Sequence, residues 1–416
     1  MSVSLRTVAC LGLAALSTSM LPGCASPDAV RASADETLVD SHFHIANYAM
    51  QGVALKTLID RYMGQQVRRS AVFALPLQQK WDRFEHYADD RIPPNYYMGP
   101  RAGMYYYAFV DAMVATDYLK LSPQDRARLD PMIVGFNPMD QYAGQHVRRA
   151  LLMFPGVFTG IGEFSVHKEI VSEKTSDDRV SSGLRGAPLP PDATADSRST
   201  LYNPALKSLL DFAGEAGLIV SLHSDAYPAR VTFDGRVIEL SPQSPYTEGM
   251  KQLCANSPGA RVYWAHTGLG RFVKPAADHL EQVSEVLEAC PNWAVDISWD
   301  LVQAYIVSPE PGMPALADWA RFVVRYQDRV LWGSDSVIYT QNRIDGAGGV
   351  HLGGPMAVDD YRAVAGITEP LWKAVGPEVA RKVKGGNHVR LFDDARKKVR
   401  TWEAANAGQD IWNLPQ

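Results

Sequence analysis

Side chains that could hold a metal ion recur along this chain at the ends of apolar runs. His42 and His44 stand two positions apart in LVDSHFHI, residues 38–45. In a strand alternate side chains share a face, so both imidazoles point one way and Phe43 the other. On its own that pair also fits a half-buried strand with a polar edge. Four further residues change the reading: Glu163 in FTGIGEFS, His223 in LIVSLHSD, His266 in RVYWAHTG and Asp335 in RVLWGSDS each lie near the end of a similar run. Imidazoles and carboxylates together form an N/O donor set suited to zinc or a similar divalent ion. Burying such groups unpaired costs several kcal/mol each, so packing alone accounts for them poorly.

The runs that carry these residues are expected to be strands. They cover residues 37–45, 70–76, 131–138, 158–165, 218–225, 261–268, 293–300 and 329–336, and helical patterns lie between them. One such pattern, NPALKSLLDFAGEAG (203–217), has Asn203 as its cap and Pro204 in its first turn. Another spans 275–290. Strands alternating with helices predict a parallel α/β sheet, and continuous apolar runs suit strands covered on both faces. The expected fold is a (β/α)8 TIM barrel over residues 38–395, with an open doubly wound sheet as the alternative. In a closed barrel the carboxyl ends of all the strands converge on one face, which brings the six residues together. Two connections are long: 77–130, dense in Tyr and Phe, and 166–202, rich in Ser, Pro and Asp. They follow strands two and four and belong to the same face. The aromatic one could be a helical lid, a packing excursion over the rim or a partner surface.

The rest of the chain bounds the biology. Its 416 residues are 46% hydrophobic and 21% charged, with a formal net charge of -5. That balance has no basic footprint for nucleic acid. Residues 1–23 carry Arg6, an apolar segment and small residues, as an export signal does. The segment ends in LPGC, which resembles a bacterial lipobox and implies acylation of Cys24. Ala25 after the cysteine then implies the outer membrane, with the protein facing the periplasm. Residues 24–37 read as a tether, and 396–416 as a C-terminal tail. Cys254 and Cys290 each close a predicted helix before a strand, and an exported compartment would allow them to pair.

The ordered set DSHFH, GIGEF, LIVSLHSD, YWAHTGLG and LWGSDS, with the tail GGNHVRLF, resembles the amidohydrolase superfamily, in particular its amidohydrolase 2 branch. The resemblance implies that His42, His44 and Asp335 hold one metal, most simply Zn2+. Glu163 would stand where many relatives carry a bridging carboxylated lysine, with His223 and His266 ligating a second ion if one binds. With a single ion, His223 would join the first site and His266 would polarise the substrate. Lys168, five positions beyond Glu163, would face away in a regular strand. The implied chemistry is hydrolysis of an amide, ester, lactone or phosphoester. A zinc ion lowers the pKa of its water from about 15.7 to about 7, and Asp335 would take the proton and pass it on. A non-oxidative decarboxylase of the same family is the alternative reaction, and a non-catalytic binding lipoprotein the alternative class. Lys168, Arg271 and Trp299 follow barrel strands and could touch a small-molecule substrate, although solvated loop charges explain them equally well. Asp40 is either a partner to an imidazole or a plain barrel residue. His86, His146, His279, His351 and His388 are expected at the surface or in packing.

Overall fold

The structure is a computed structural model. It describes residues 38–46, 52–79, 104–168, 201–227, 230–233, 236–239, 246–338, 343–344, 350–351 and 358–414. The export signal, the tether with Cys24, the aromatic stretch 80–103 and most of the second insertion lie outside these residues, as do His86 and the side chain of His351. Among the described residues no helix is long and apolar enough to cross a membrane.

Eight runs become parallel strands: β1 (Leu38–His44), β2 (Val67–Phe73), β3 (Leu129–Ile133), β4 (Gly160–Ser165), β5 (Ile219–His223), β6 (Arg261–Trp264), β7 (Ala294–Ile297) and β8 (Val330–Trp332). Each pairs with the next in chain order. The eighth strand is interrupted. After Trp332 the chain passes through Gly333, Ser334 and Asp335 and resumes as Ser336–Val337, which pairs in parallel with β1. The two edges of the sheet are thus pieces of one strand, and the sheet closes as the α/β barrel expected. The Ser334 and Asp335 amides donate to Asp40 Oδ1 and the His42 carbonyl at 2.9 and 2.8 Å, stitching the break to β1. Gly333 permits the close approach, because a Cβ there would lie 2.6 Å from His42 Cβ.

Strand boundaries moved where charge was part of the interior. β2 begins at Val67 rather than residue 70 because Arg69 is buried in the strand, with its Nε and Nη2 on Asp130. β3 begins at Leu129 for the matching reason. It ends at Ile133 because Asp111 accepts from the Val134 and Gly135 amides, both at 2.9 Å, and turns the chain out of the sheet. Asp111 belongs to α1 (Phe109–Leu119), a described part of the first insertion that packs Val110, Val114 and Ala115 into the core.

The outer helices follow the apolar period. In α2 (Pro204–Ala216), Asn203 caps the Ala205 amide at 2.8 Å and Gly217 ends the helix with φ 75°. Leu206, Leu209, Leu210 and Ala213 are buried on its inner face. Each leucine contributes about 1.5–3 kcal/mol relative to exposure. The expected tail is not a tail. A single helix, α3 (Asn387–Asn406), runs across residue 395 and buries Phe392, Ala395, Val399 and Trp402. Those positions recur at helical spacing on one face, so the outer layer continues past the expected boundary.

Candidate metal centre

His42, His44, Glu163 and His223 sit on β1, β4 and β5, while His266 and Asp335 lie just beyond β6 and β8. The last two have left-handed backbones, φ 55° and 51°. Non-glycine residues seldom adopt that conformation, and where they do, the strain is commonly held by a functional site. Here it turns each side chain inward just as its strand ends.

The six residues converge in two poles. His42 Nε2 and His44 Nε2 lie 3.3 and 3.1 Å from Asp335 Oδ1, and 3.8 and 3.4 Å from Glu163 Oε2. The other Glu163 oxygen, Oε1, lies 2.8 Å from His223 Nδ1 and 3.3 Å from His266 Nε2. Asp335 Oδ2 is 3.7 Å from His266 Nε2. Three sets of ligand atoms lie within 4.8 Å of one another: His42, His44 and Glu163; His42, His266 and Asp335; Glu163, His223 and His266. His42 Nε2 and His266 Nε2 are buried and make no hydrogen bond. Buried ring nitrogens in that state, aimed at carboxylates, fit a cation between them.

Asp296 on β7 sets how two of the rings are presented. Its Oδ2 lies 2.9 Å from His42 Nδ1, so that nitrogen carries a proton and Nε2 is the one left to face a cation. Its Oδ1 accepts from the Ser298 hydroxyl at 2.5 Å. The Ser298 oxygen, its proton committed, then accepts from His266 Nδ1 at 2.7 Å. His266 Nε2 is therefore a lone pair, which fits ligation rather than donation to a substrate oxygen. The Phe73 ring packs edge-on against both His42 and His44.

The electrostatics agree with this arrangement. Burial pushes the Glu163 carboxyl up, but Lys168, His223 and His266 outweigh it and hold it well below its ordinary value. Asp335 is likewise held far down against burial, by His266, His42 and His44. Burial opposes a charge on His42, yet Asp296 and Asp335 raise its pKa well above the usual imidazole range. Burial similarly opposes a charge on His44, and Asp335 and Glu163 raise it. On His266 burial prevails and the pKa falls. The ionised carboxylates that draw protons onto His42 and His44 are the groups that would hold a divalent cation there, and binding it would release those protons.

The weaker candidates separate. Lys168 does not face away. β4 ends at Ser165, so strand alternation no longer applies, and Lys168 Nζ reaches 3.2 Å from His223 Nδ1. Trp299 has φ 70° and its ring stands 5.4 Å from that of His266. Arg271 is half-buried, and its charge acts on the Asp300 carboxyl. Asp40 touches no imidazole. It accepts from Ser334, Tyr361 and the His42 amide and holds backbone. His146 pairs with Asp111, His388 lies between Ser41 and Asp130, and His279 is buried near Trp319, as expected of packing residues. Cys254 and Cys290 are joined in a disulfide, with Cα atoms 5.9 Å apart. Asp296, Ser298 and Asp225 are absent from the set read off the sequence. The available signal for Asp296 was a carboxylate between Val295 and Ile297 in an apolar run, and for Asp225 its place two residues after His223.

The family model described as amidohydrolase matches residues 39–393. No curated protein matches the sequence significantly. Among solved structures, an uncharacterized TIM-barrel protein from Bordetella bronchiseptica is 13% identical, with 86% of this chain and 99% of that chain covered and a TM-score of 0.45. An amidohydrolase from Burkholderia multivorans with bound zinc is 12% identical over 86% of this chain and 99% of that one, TM-score 0.44. Dihydroorotase from Saccharomyces cerevisiae is 12% identical over 88% and 86%, TM-score 0.44.

Proposed function

The chain belongs to the amidohydrolase family, and on that premise we propose that it is a metal-dependent hydrolase of a small substrate bearing an amide, ester, lactone or phosphoester group. One observation carries the reading: Asp335 Oδ1 stands 3.3 and 3.1 Å from His42 Nε2 and His44 Nε2, at the mouth of a closed barrel. His42, His44, His266 and Asp335 would hold a divalent ion, with Glu163 within reach and zinc the first choice for this donor set. When bound, such an ion supplies Lewis acidity, which makes a water nucleophilic near neutral pH.

The chain's own residues do the rest. Asp335 is the most exposed of the six, its side chain 13% accessible against 0–5% for the others, so a substrate and its water meet it first. Its carboxylate is ionised and therefore able to accept the proton of the attacking water and return it to the leaving group. Asp296, directly and through Ser298, keeps Nε2 of His42 and of His266 aimed inward throughout. Trp299, beside His266, offers a flat apolar wall for the substrate.

Elemental analysis of the purified protein, with turnover assays on esters, lactones, amides and phosphoesters, tests this reading. The expected result is tightly held divalent metal and hydrolysis lost on chelation. Background metal after reconstitution would overturn it. Release of carbon dioxide from a carboxylated substrate, without hydrolysis of any of these, would reassign the reaction to decarboxylation.

A further inference from the structure

Lys168 was one of the weaker candidates read from the sequence, yet it is buried against the second pole. Its Nζ lies 3.2 Å from His223 Nδ1, the atom that also faces Glu163 Oε1 at 2.8 Å. Two proton arrangements are open to that nitrogen. Either Lys168 donates to its lone pair, or Nδ1 carries a proton and donates to Glu163. In both, Nδ1 has no lone pair left for a cation. The far nitrogen, Nε2, is buried, makes no hydrogen bond and lies 3.4 Å from Asp225 Oδ1, on the other side of the ring from Lys168 and Glu163.

Charge leads to the same place. A metal ion bonded to His223 Nδ1 at about 2.1 Å would lie within about 5 Å of the lysine nitrogen, since Nζ is 3.2 Å from the same atom. An ammonium and a divalent ion that close, in a buried site, repel strongly. Lys168 Nζ and Glu163 Oε1 both reach His223 Nδ1, so the lysine's charge already stands on the side of the site where a second ion would sit.

We infer that Lys168 is a built-in cation occupying the second pole, so that this centre binds one divalent ion per chain, between His42, His44, His266 and Asp335, and not two. The inference rests on the metal-centre reading above and decides its ion count. Glu163 then stands between one ion and His223, whose Nδ1 also lies against Lys168, rather than between two ions. His223 becomes a positioning residue for Lys168 and Glu163, and is not a ligand.

The test is metal stoichiometry. The metal-stripped full chain is reconstituted with excess Zn2+, desalted, and its zinc per chain measured. The same is done for Lys168→Arg, Lys168→Met and Lys168→Met combined with His223→Ala. Reconstitution with Mn2+ adds an electron-spin-resonance signal that reports exchange coupling only when two ions are neighbours. One ion is expected in wild type and in Lys168→Arg, two coupled ions in Lys168→Met, and one again in the double variant. Two ions in wild type would overturn the inference while leaving the metal-centre reading intact, and this measurement needs no variant to fold. One ion in a folded Lys168→Met protein would overturn it as well. No ion in wild type would remove the metal-centre reading and this inference with it.

Discussion

Asp296 Oδ2 lies 2.9 Å from His42 Nδ1, although the two residues are 254 positions apart in the chain. Through its other oxygen, the Ser298 hydroxyl and His266 Nδ1, the same carboxylate governs a second imidazole. One side chain thus fixes the tautomer of two candidate ligands. Burial opposes its charge, but His42, His266 and Ser298 keep its pKa below the ordinary value.

Asp296→Asn should therefore weaken metal binding without emptying the site of ligands. Partners that orient ligating histidines are typically worth about 10–100-fold in affinity. Competition with a chelator of known affinity measures the change. An affinity equal to wild type would show that the Asp296 contact is ordinary packing.

Asp335→Asn keeps the shape and removes the carboxylate proposed as the base. Turnover of any substrate found should fall by roughly 10²–10⁴-fold, while substrate or product binding changes little. Because Asp335 also faces the ion, rates are compared at matched metal occupancy. A metal-loaded variant working at the wild-type rate would exclude Asp335 as the proton acceptor.

Two buried histidines away from the centre should make stability fall on acidification. Burial depresses His279 to about 3 and His388 to about 4, against about 6.5 in an unfolded chain. Between those values the unfolded state binds more protons than the folded one, so stability rises with pH across that window and is lost as pH falls below about 6.5. His42, His44 and His223, which are raised, act in the opposite sense, so the readout is a difference. Urea midpoints at pH 7 and pH 5 should converge less for wild type than for His279→Phe. Equal losses in both proteins would mean that His279 already titrates normally in the fold.

The disulfide between Cys254 and Cys290 closes a loop of sequence separation 36 and ties the start of β6 to the start of β7 through their preceding helices. A loop of that size gives about 4 kcal/mol in the chain-entropy account, within the usual range of about 2–4 kcal/mol. Cys290→Ala should lower the thermal midpoint, and adding reductant should lower it for wild type but not for the variant. A reductant effect that persists in Cys290→Ala would point to another cause.

Cys24 lies in the lipobox-like LPGC, and its acylation would place the protein on the periplasmic face of a bacterial outer membrane. Labelled fatty acid supplied to the native host should enter the wild type and not Cys24→Ser. A wild type that stays unlabelled and separates with the soluble fraction would contradict the tether.

Much of the site was legible because its signals are local. Strand phase at His42 and His44, and the recurrence of Glu163, His223, His266 and Asp335 near strand ends, need only the pleat and the barrel's geometry to imply convergence. The barrel itself follows from the alternation of apolar runs with amphipathic helices. What the tertiary structure decided was everything carried by contacts across space. Asp296 reads as one more residue in an apolar run until β7 is set beside β6 and the ring of His42 is brought across the barrel. The Arg69–Asp130 pair conceals two strand starts, because a buried charge looks exposed until its partner arrives. Lys168 was misdirected by strand alternation, a rule that lapses once the chain leaves β4 at Ser165. Alternation gives direction only while the backbone stays extended and hydrogen-bonded. Beyond a strand's end the turn decides, and the turn answers to its neighbours in the fold rather than in the chain.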